Sequence, residues 1–350
     1  MPLTTGNVTI KLSAGTYSSW ASFWDDLGNL TGDVTCTVDA SAFTESSCPS
    51  AVTETLGGYT LHVLPASFPT TTDGSTGARF TCNYTGECLD MEMEGAGTVI
   101  IEGIVLMEGT SAPLIGIYTV GISTDFTFII RRNILKGLAV GINISDKDVE
   151  GLQIYNNIIY AGASFGIQWN FALTNFILAN NTIVGQDVGI YFGNVVSTSE
   201  NNLIYGSDTA DFQYIVNAEG NNNADGDGTG EDADWGGGGA NNVSSIADPF
   251  NNLAGDDFTI TVEGVVGTAG KDLSGTFTTD FFGVTRVNWT IGACEYLSVP
   301  SSTPSVQGDY TYNLDGSLIL EPGQFVATYT TLDTTAAFIF SFLWEEIERS

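Results

Sequence analysis

Between Phe126 and Tyr205 one phrase returns four times, and its spacing constrains the fold more than any other feature. The phrase is Arg-Asn-Ile-Leu-Lys-Gly at 132–137, Asn-Asn-Ile-Ile-Tyr-Ala at 156–161, Asn-Asn-Thr-Ile-Val-Gly at 180–185 and Asn-Asn-Leu-Ile-Tyr-Gly at 201–206. Its second Asn falls at Asn133, Asn157, Asn181 and Asn202, in steps of 24, 24 and 21 residues. A second marker keeps time with it: Gly141-Ile142, Gly166-Ile167 and Gly189-Ile190. Two markers in step at this period specify a solenoid, in which each repeat stacks on its neighbours.

Each repeat reads as three short strands, such as Phe126–Ile130, Ile134-Leu135 and Val140–Ile144. Strands this short in such a period cannot lie in one flat sheet. They can coil, each pairing in parallel with its copy one turn on. The repeated Asn side chains would then stack and hydrogen-bond along the axis, and Asn tolerates the left-handed backbone that a tight turn requires. The pattern resembles right-handed parallel β-helix proteins, the architecture of pectate lyases and many phage tailspikes. The expected fold is all-β: a right-handed parallel β-helix with an N-terminal capping helix and a small antiparallel C-terminal β-domain.

The flanking segments fit around that core. Residues 1–32 hold a strand at 7–11 and an apolar face made by Trp20, Phe23, Trp24 and Leu27. That i, i+3, i+4, i+7 spacing predicts a helix, N-capped by Ser18 or Ser19, that covers the open end of the coil. The β-helix is expected over 33–297, with its first regular turn at 98–109. Glu102 there matches the Arg132 phrase 30 residues on. Residues 217–242, rich in Gly and acid, are expected as a loop bulging from the coil. The stretch from Ile246 to Tyr296 resembles the closing segment of many bacterial and viral β-helix proteins. It shares their D-x-x-G-x-x-R turn at Asp280–Arg286 and their Ile-Gly-Ala-x-Glu-Tyr last strand at 291–296, and departs from them at Gly264–Gly270. A linker is expected at 298–304. Residues 305–350 read as an antiparallel β segment, with Phe338, Phe340, Phe342 and Trp344 as contacts for trimerisation or attachment. Its ending resembles the β-sandwich ends of tailed-phage virion proteins.

The formal charge of −32 arises from only 9 Lys and Arg against 41 Asp and Glu. It excludes nucleic acid and anionic membrane as partners, since phosphate contacts need bases. No apolar run is long enough to insert in a membrane. The N-terminus has no basic region and no apolar signal core, so synthesis in the cytoplasm of a host is expected. Of five Cys, Cys36, Cys48, Cys82 and Cys88 lie in the first quarter, and spacing leaves disulfides, free thiols and a metal site all open.

Four sets of residues could carry chemistry. Glu92 and Glu94 share a strand face with Asp90, and Glu102 is expected one turn on, giving a carboxylate pair of the kind glycosidases use. Arg131 and Arg132 are adjacent bases of the kind that lyases of this architecture combine with Ca²⁺, unless they offset Asp146, Asp148 or Glu150. Asp225, Asp227, Glu231, Asp232 and Asp234 are hard oxygen donors that suit Ca²⁺, without EF-hand spacing. Trp169, Tyr155 and Tyr160 could stack on sugar rings if exposed. The single His62 lies in an apolar strand and reads as structural. Two functions follow. One is a non-enzymatic virion surface protein of a tailed phage, a trimeric rod that decorates a capsid or forms a fibre or spike, bound to other virion proteins and to a host-surface glycan. The other is a polysaccharide lyase or hydrolase.

Overall fold

The computed structural model describes residues 2–11, 14–47, 49, 53–110, 115–119, 126–145, 151–169, 176–192, 198–214, 219–226, 241–260 and 265–296. The chain divides into two units, Met1–Ser298 and Val299–Ser350. The second unit, with Phe338, Phe340, Phe342 and Trp344, lies outside the described residues.

The first unit is a parallel β-solenoid with three sheets running along its axis. Sheet 1 has nine strands, from Gly6–Ile10 to Glu219–Asn221; sheet 2 has eight, from Ala42–Glu45 to Ala224–Asp225; sheet 3 has six, from Glu87–Met91 to Ala210–Tyr214. From Thr60–Pro65 to Ala210–Tyr214 each coil visits the sheets in that order, and each strand pairs in parallel with the same strand of the next coil. The strand Gly6–Ile10 pairs with Val34–Val38, so the solenoid begins ahead of the helix rather than at residue 33. Between the 98–109 turn and the next coil the register is Glu102 to Arg131 and Val105 to Ile134, an offset of 29 residues and not the expected 30.

The corner between sheets 1 and 2 explains the doubled Asn. The first residue of each phrase has a left-handed backbone: Arg132, Asn156, Asn180, Asn201 and Asn222 lie at φ 52 to 58. The second Asn points into the coil. Asn157 Oδ1 accepts from the Asn133 backbone N–H at 3.0 Å and from Asn133 Nδ2 at 3.1 Å, while Asn157 Nδ2 donates to Asn181 Oδ1 at 3.0 Å and to the Ile130 carbonyl at 2.8 Å. Both protons and both lone-pair positions of the amide are therefore used. The same pattern repeats at Asn181 and Asn202 and continues to Asn223, whose N–H meets Asn242 Oδ1 at 2.9 Å.

Residues 219–226 are thus a further coil. The expected loop at 217–242 is corrected there: Asn222-Asn223-Ala224-Asp225 is the same phrase in a Gly- and Asp-rich setting.

The helix Trp20–Asp26 is capped by Ser19, which accepts from the Ser22 N–H, and its Trp20, Phe23 and Trp24 are buried. It covers the end of sheets 2 and 3, where those sheets start later than sheet 1. The Trp20 N–H bonds Glu45 on the outermost strand of sheet 2 at 2.8 Å. Its indole bonds the Cys88 carbonyl on the outermost strand of sheet 3 at 2.8 Å.

Residues 246–260 and 265–296 run as a strap over the outer face of sheet 2. Phe250, Phe258, Val266, Phe281 and Ile291 form a second apolar core with Val105, Ile134, Ile158, Tyr160 and Leu203. Its antiparallel pair, Phe250–Asn252 with Asp257–Ile260, is the small antiparallel element among the described residues. The left-handed corner residues fasten it. Asn156, Asn180, Asn201 and Asn222 donate outward to the carbonyls of Thr279, Thr290, Lys271 and Ala269 at 2.6 to 2.8 Å. Asp280 accepts from Val284 and Glu295 N–H, and the fully buried Arg286 meets Glu295 at 3.2 Å and Asn156 at 2.7 Å. The expected last strand at 291–296 is instead a series of bends, because its backbone groups are spent on Asn201, Thr182 and Asp280 rather than on a strand partner.

We predict that Asn181→Ala lowers stability by about 2–4 kcal/mol, since it leaves the Asn157 N–H buried without its acceptor, removes one acceptor of Asn157 Nδ2 and breaks the bonds of Asn181 to Asn202 and Ile154. Urea unfolding of the variant checks this, and a loss below about 0.5 kcal/mol, the range of a surface substitution, would contradict it.

Candidate functional site

The outer face of sheet 1 gathers three of the expected site residues. Glu102 ends the strand Gly97–Glu102 and Arg131 ends Phe126–Arg131; the two are direct partners in register, and Tyr155 follows one coil on. Strand alternation turns Arg131 outward while Ile130 faces in. Arg132 then takes the left-handed corner position that Asn fills in later coils, and its guanidinium lies on the Phe68 ring at 3.8 Å. His62, on the strand Thr60–Pro65, reaches Glu102 from the other side.

These groups close on one another. Glu102 Oε2 is 2.7 Å from Arg131 Nη2 and 3.2 Å from His62 Nε2; Oε1 is 3.4 Å from Arg132 Nη1. Arg131 also donates to the Tyr155 hydroxyl at 2.9 Å, and Arg132 Nε donates to the Phe281 carbonyl of the strap at 2.8 Å. Burial alone would raise the Glu102 carboxyl, but hydrogen bonds from His62 and Arg131 and the charges of both arginines bring it down to about 2. A carboxylate that acidic, with both oxygens engaged, is a poor general base, because proton transfer is most effective when the pKa lies near the working pH. Its effect is to bind three successive coils together and, through Arg132, the strap. Glu102 is a counter-ion of both arginines; Asp146, Asp148 and Glu150 lie outside the described residues.

Glu92 and Glu94 do not join this cluster. The strand Glu87–Met91 belongs to sheet 3 and ends before them, and Glu94 is exposed beside Thr55. Glu102 is therefore on a different sheet, not one turn on along the same face. The carboxyl that stands out on sheet 3 is Asp90. Burial, then the charges of Glu92 and Glu87, push it up to about 6.

Of the expected Ca²⁺ ligands, Asp225 is buried in the last strand of sheet 2, where Oδ1 accepts from the Ser245 N–H at 3.0 Å. It serves the coil rather than a loop. Asp227, Glu231, Asp232 and Asp234 lie outside the described residues. Among the described residues, no group of three His, Cys, Asp or Glu side chains is placed to hold a metal ion.

The aromatic residues expected to meet sugar are buried, Trp169 inside the coil and Tyr155 and Tyr160 beneath the strap. Trp169 sits edge-on between Phe176 and Phe192, Tyr155 stacks on Phe277 at 4.5 Å, and Tyr160 packs on Phe258. The side chains that do reach the surface in register are on sheet 3. Asp90, Tyr118, Asn143, Gln168, Tyr191 and Gln213 occupy one outward position in six successive coils, all partly exposed. The sequence signal was present, immediately after each Gly-Ile marker. It is a variable position inside a repeated phrase, and so it does not register as a motif.

Comparison of the chain with protein families, with curated proteins and with solved structures finds no match.

Glu102 titrates lower in the folded chain than its usual 4.5, so its contribution to stability is present above about pH 4.5 and is lost as the pH falls toward 2. We predict that Glu102→Gln costs on the order of 3 kcal/mol at neutral pH and flattens the fall in stability across that acid window. Urea unfolding of both proteins from pH 7 to pH 2 measures it.

Proposed function

We propose that this chain is a non-enzymatic surface protein of a tailed-phage virion: a rigid rod, trimeric through residues 305–350, that decorates a capsid or forms a fibre or spike. The observation that carries this reading is the Glu102 cluster. The bases and the carboxylate that could have formed a catalytic set on sheet 1 are bonded to one another and to the strap at 2.7 to 3.4 Å. Such a cluster strengthens a rod. The resemblance of the coil to tailspikes, of the C-terminal ending to virion β-sandwiches, and a charge of −32 that keeps a surface protein soluble all point the same way.

A second reading, cleavage of a host or algal glycan, draws on sheet 3. Asp90, at about 6, has the acidity of a general acid, Glu92 is near it, and Tyr118 is its neighbour in register. In this reading the column from Tyr118 to Gln213 holds a sugar chain along the axis.

Mass in solution, with and without residues 300–350, and a reducing-end assay on mixed glycans separate the two. The rod predicts a trimer that becomes a monomer on truncation and releases no reducing ends. A monomer whose glycan cleavage is abolished by Asp90→Asn would overturn it.

A further inference from the structure

Three buried thiols of the N-terminal coils, Cys36, Cys82 and Cys88, take no part in the ionic cluster or the Asn ladder, and two of them touch. Cys82 ends the strand Ala78–Cys82 of sheet 2, and Cys88 is the second residue of Glu87–Met91, the first strand of sheet 3. The chain turns between the sheets over residues 83–86, and both side chains face the interior with no exposed surface. The Cys88 and Cys82 side chains are hydrogen-bonded to each other. Cys82 Sγ also accepts from the Tyr84 hydroxyl at 3.4 Å. Above them lies the capping helix, whose Trp20 indole holds the Cys88 carbonyl. Cys36, on sheet 1, is a free thiol apart from this pair.

We propose that Cys82 and Cys88 form a dithiol–disulfide pair that closes to a cystine when the protein meets an oxidising medium. The oxidant is a low-molecular-weight disulfide or a diazene such as diamide. Both sulfurs are buried, so the oxidant meets them when the end of the coil opens locally; the Cys82 thiolate then attacks the oxidant and forms a mixed adduct. The Cys88 thiolate then attacks Cys82 Sγ and expels the reduced half. Two S–H bonds are lost, one S–S bond forms, and the oxidant takes up two electrons and two protons. Cys82 is the attacking sulfur: hydrogen bonds from Cys88 and Tyr84 favour its thiolate, against the effect of burial. Cys36 has no such partner among the described residues, and burial raises its pKa. The cystine pins the turn from sheet 2 to sheet 3 directly beneath the capping helix. The end of the solenoid is then cross-linked after folding rather than during it, independently of which function the rod serves.

The test uses the full chain, folded, treated with diamide and then alkylated, followed by peptide mapping. The expected result is loss of two thiols, with Cys82 and Cys88 in one disulfide-linked peptide. Cys36→Ser should leave that product unchanged, and Cys82→Ser or Cys88→Ser should abolish it. Should a serine variant fail to fold, the map of the unmutated chain still decides. A cystine that joins either residue to Cys36, Cys48 or Cys294 overturns the proposal. So does a folded chain that keeps every thiol while the urea-unfolded chain oxidises.

Discussion

The structure depends on one interaction, the column of primary amides at the corner between sheets 1 and 2. A tight corner exposes backbone N–H groups toward the interior, where an unpaired donor costs about 1–3 kcal/mol. From Asn133, which also serves the N–H of Ile104 in the coil before, the inward Asn answers this in successive coils. Its oxygen takes the backbone N–H and the side-chain proton of the coil before, and its nitrogen serves the coil after and a strand-end carbonyl. Asp could not donate, and Gln would place the amide too far in. The residue before it must adopt a left-handed backbone, which Asn tolerates and Gly103 supplies in the early coil. The doubled Asn is thus two requirements at adjacent positions, one conformational and one of hydrogen bonding.

The same corner joins the coil to the strap. Because the left-handed residue directs its side chain outward, the amides of Asn156, Asn180, Asn201 and Asn222 are free to hold carbonyls of 269–290. Arg132 stands in this series and does the same work with a charge, linking the Phe281 carbonyl to Glu102. The strap in turn covers the apolar outer side of sheet 2, which would otherwise lie open beside water. One corner therefore faces both cores: its inward amides bound the coil interior, and its outward amides hold the cover.

How much of this the sequence announces depends on how often each residue repeats. The ladder from Asn133 to Asn202 was legible because four copies carry the same neighbours. Asn223 and Asn242 belong to it but were hidden, since Ala224 and Asp225 replace the usual Leu-Ile and the surrounding Gly and Asp suggest a loop. The helix at Trp20 was legible from its apolar spacing. The site was less so. Glu102 and Arg131 are neighbours only once the 29-residue register is known, and His62 joins them from a coil whose strands repeat poorly. The strap is legible as the place where the repeat stops, but its path over sheet 2 rests on contacts more than 100 residues apart, such as Arg286 with Asn156, which periodicity does not report.

Native-state hydrogen exchange on the backbone amides of Asn133, Asn157, Asn181 and Asn202 tests the central claim most directly. If the amide column holds the coils together, these four N–H groups exchange only with global unfolding, at the same free energy as the interior strands, and their protection falls together in rising denaturant. Exchange at any of them through local opening, while the flanking strands stay protected, would contradict the account.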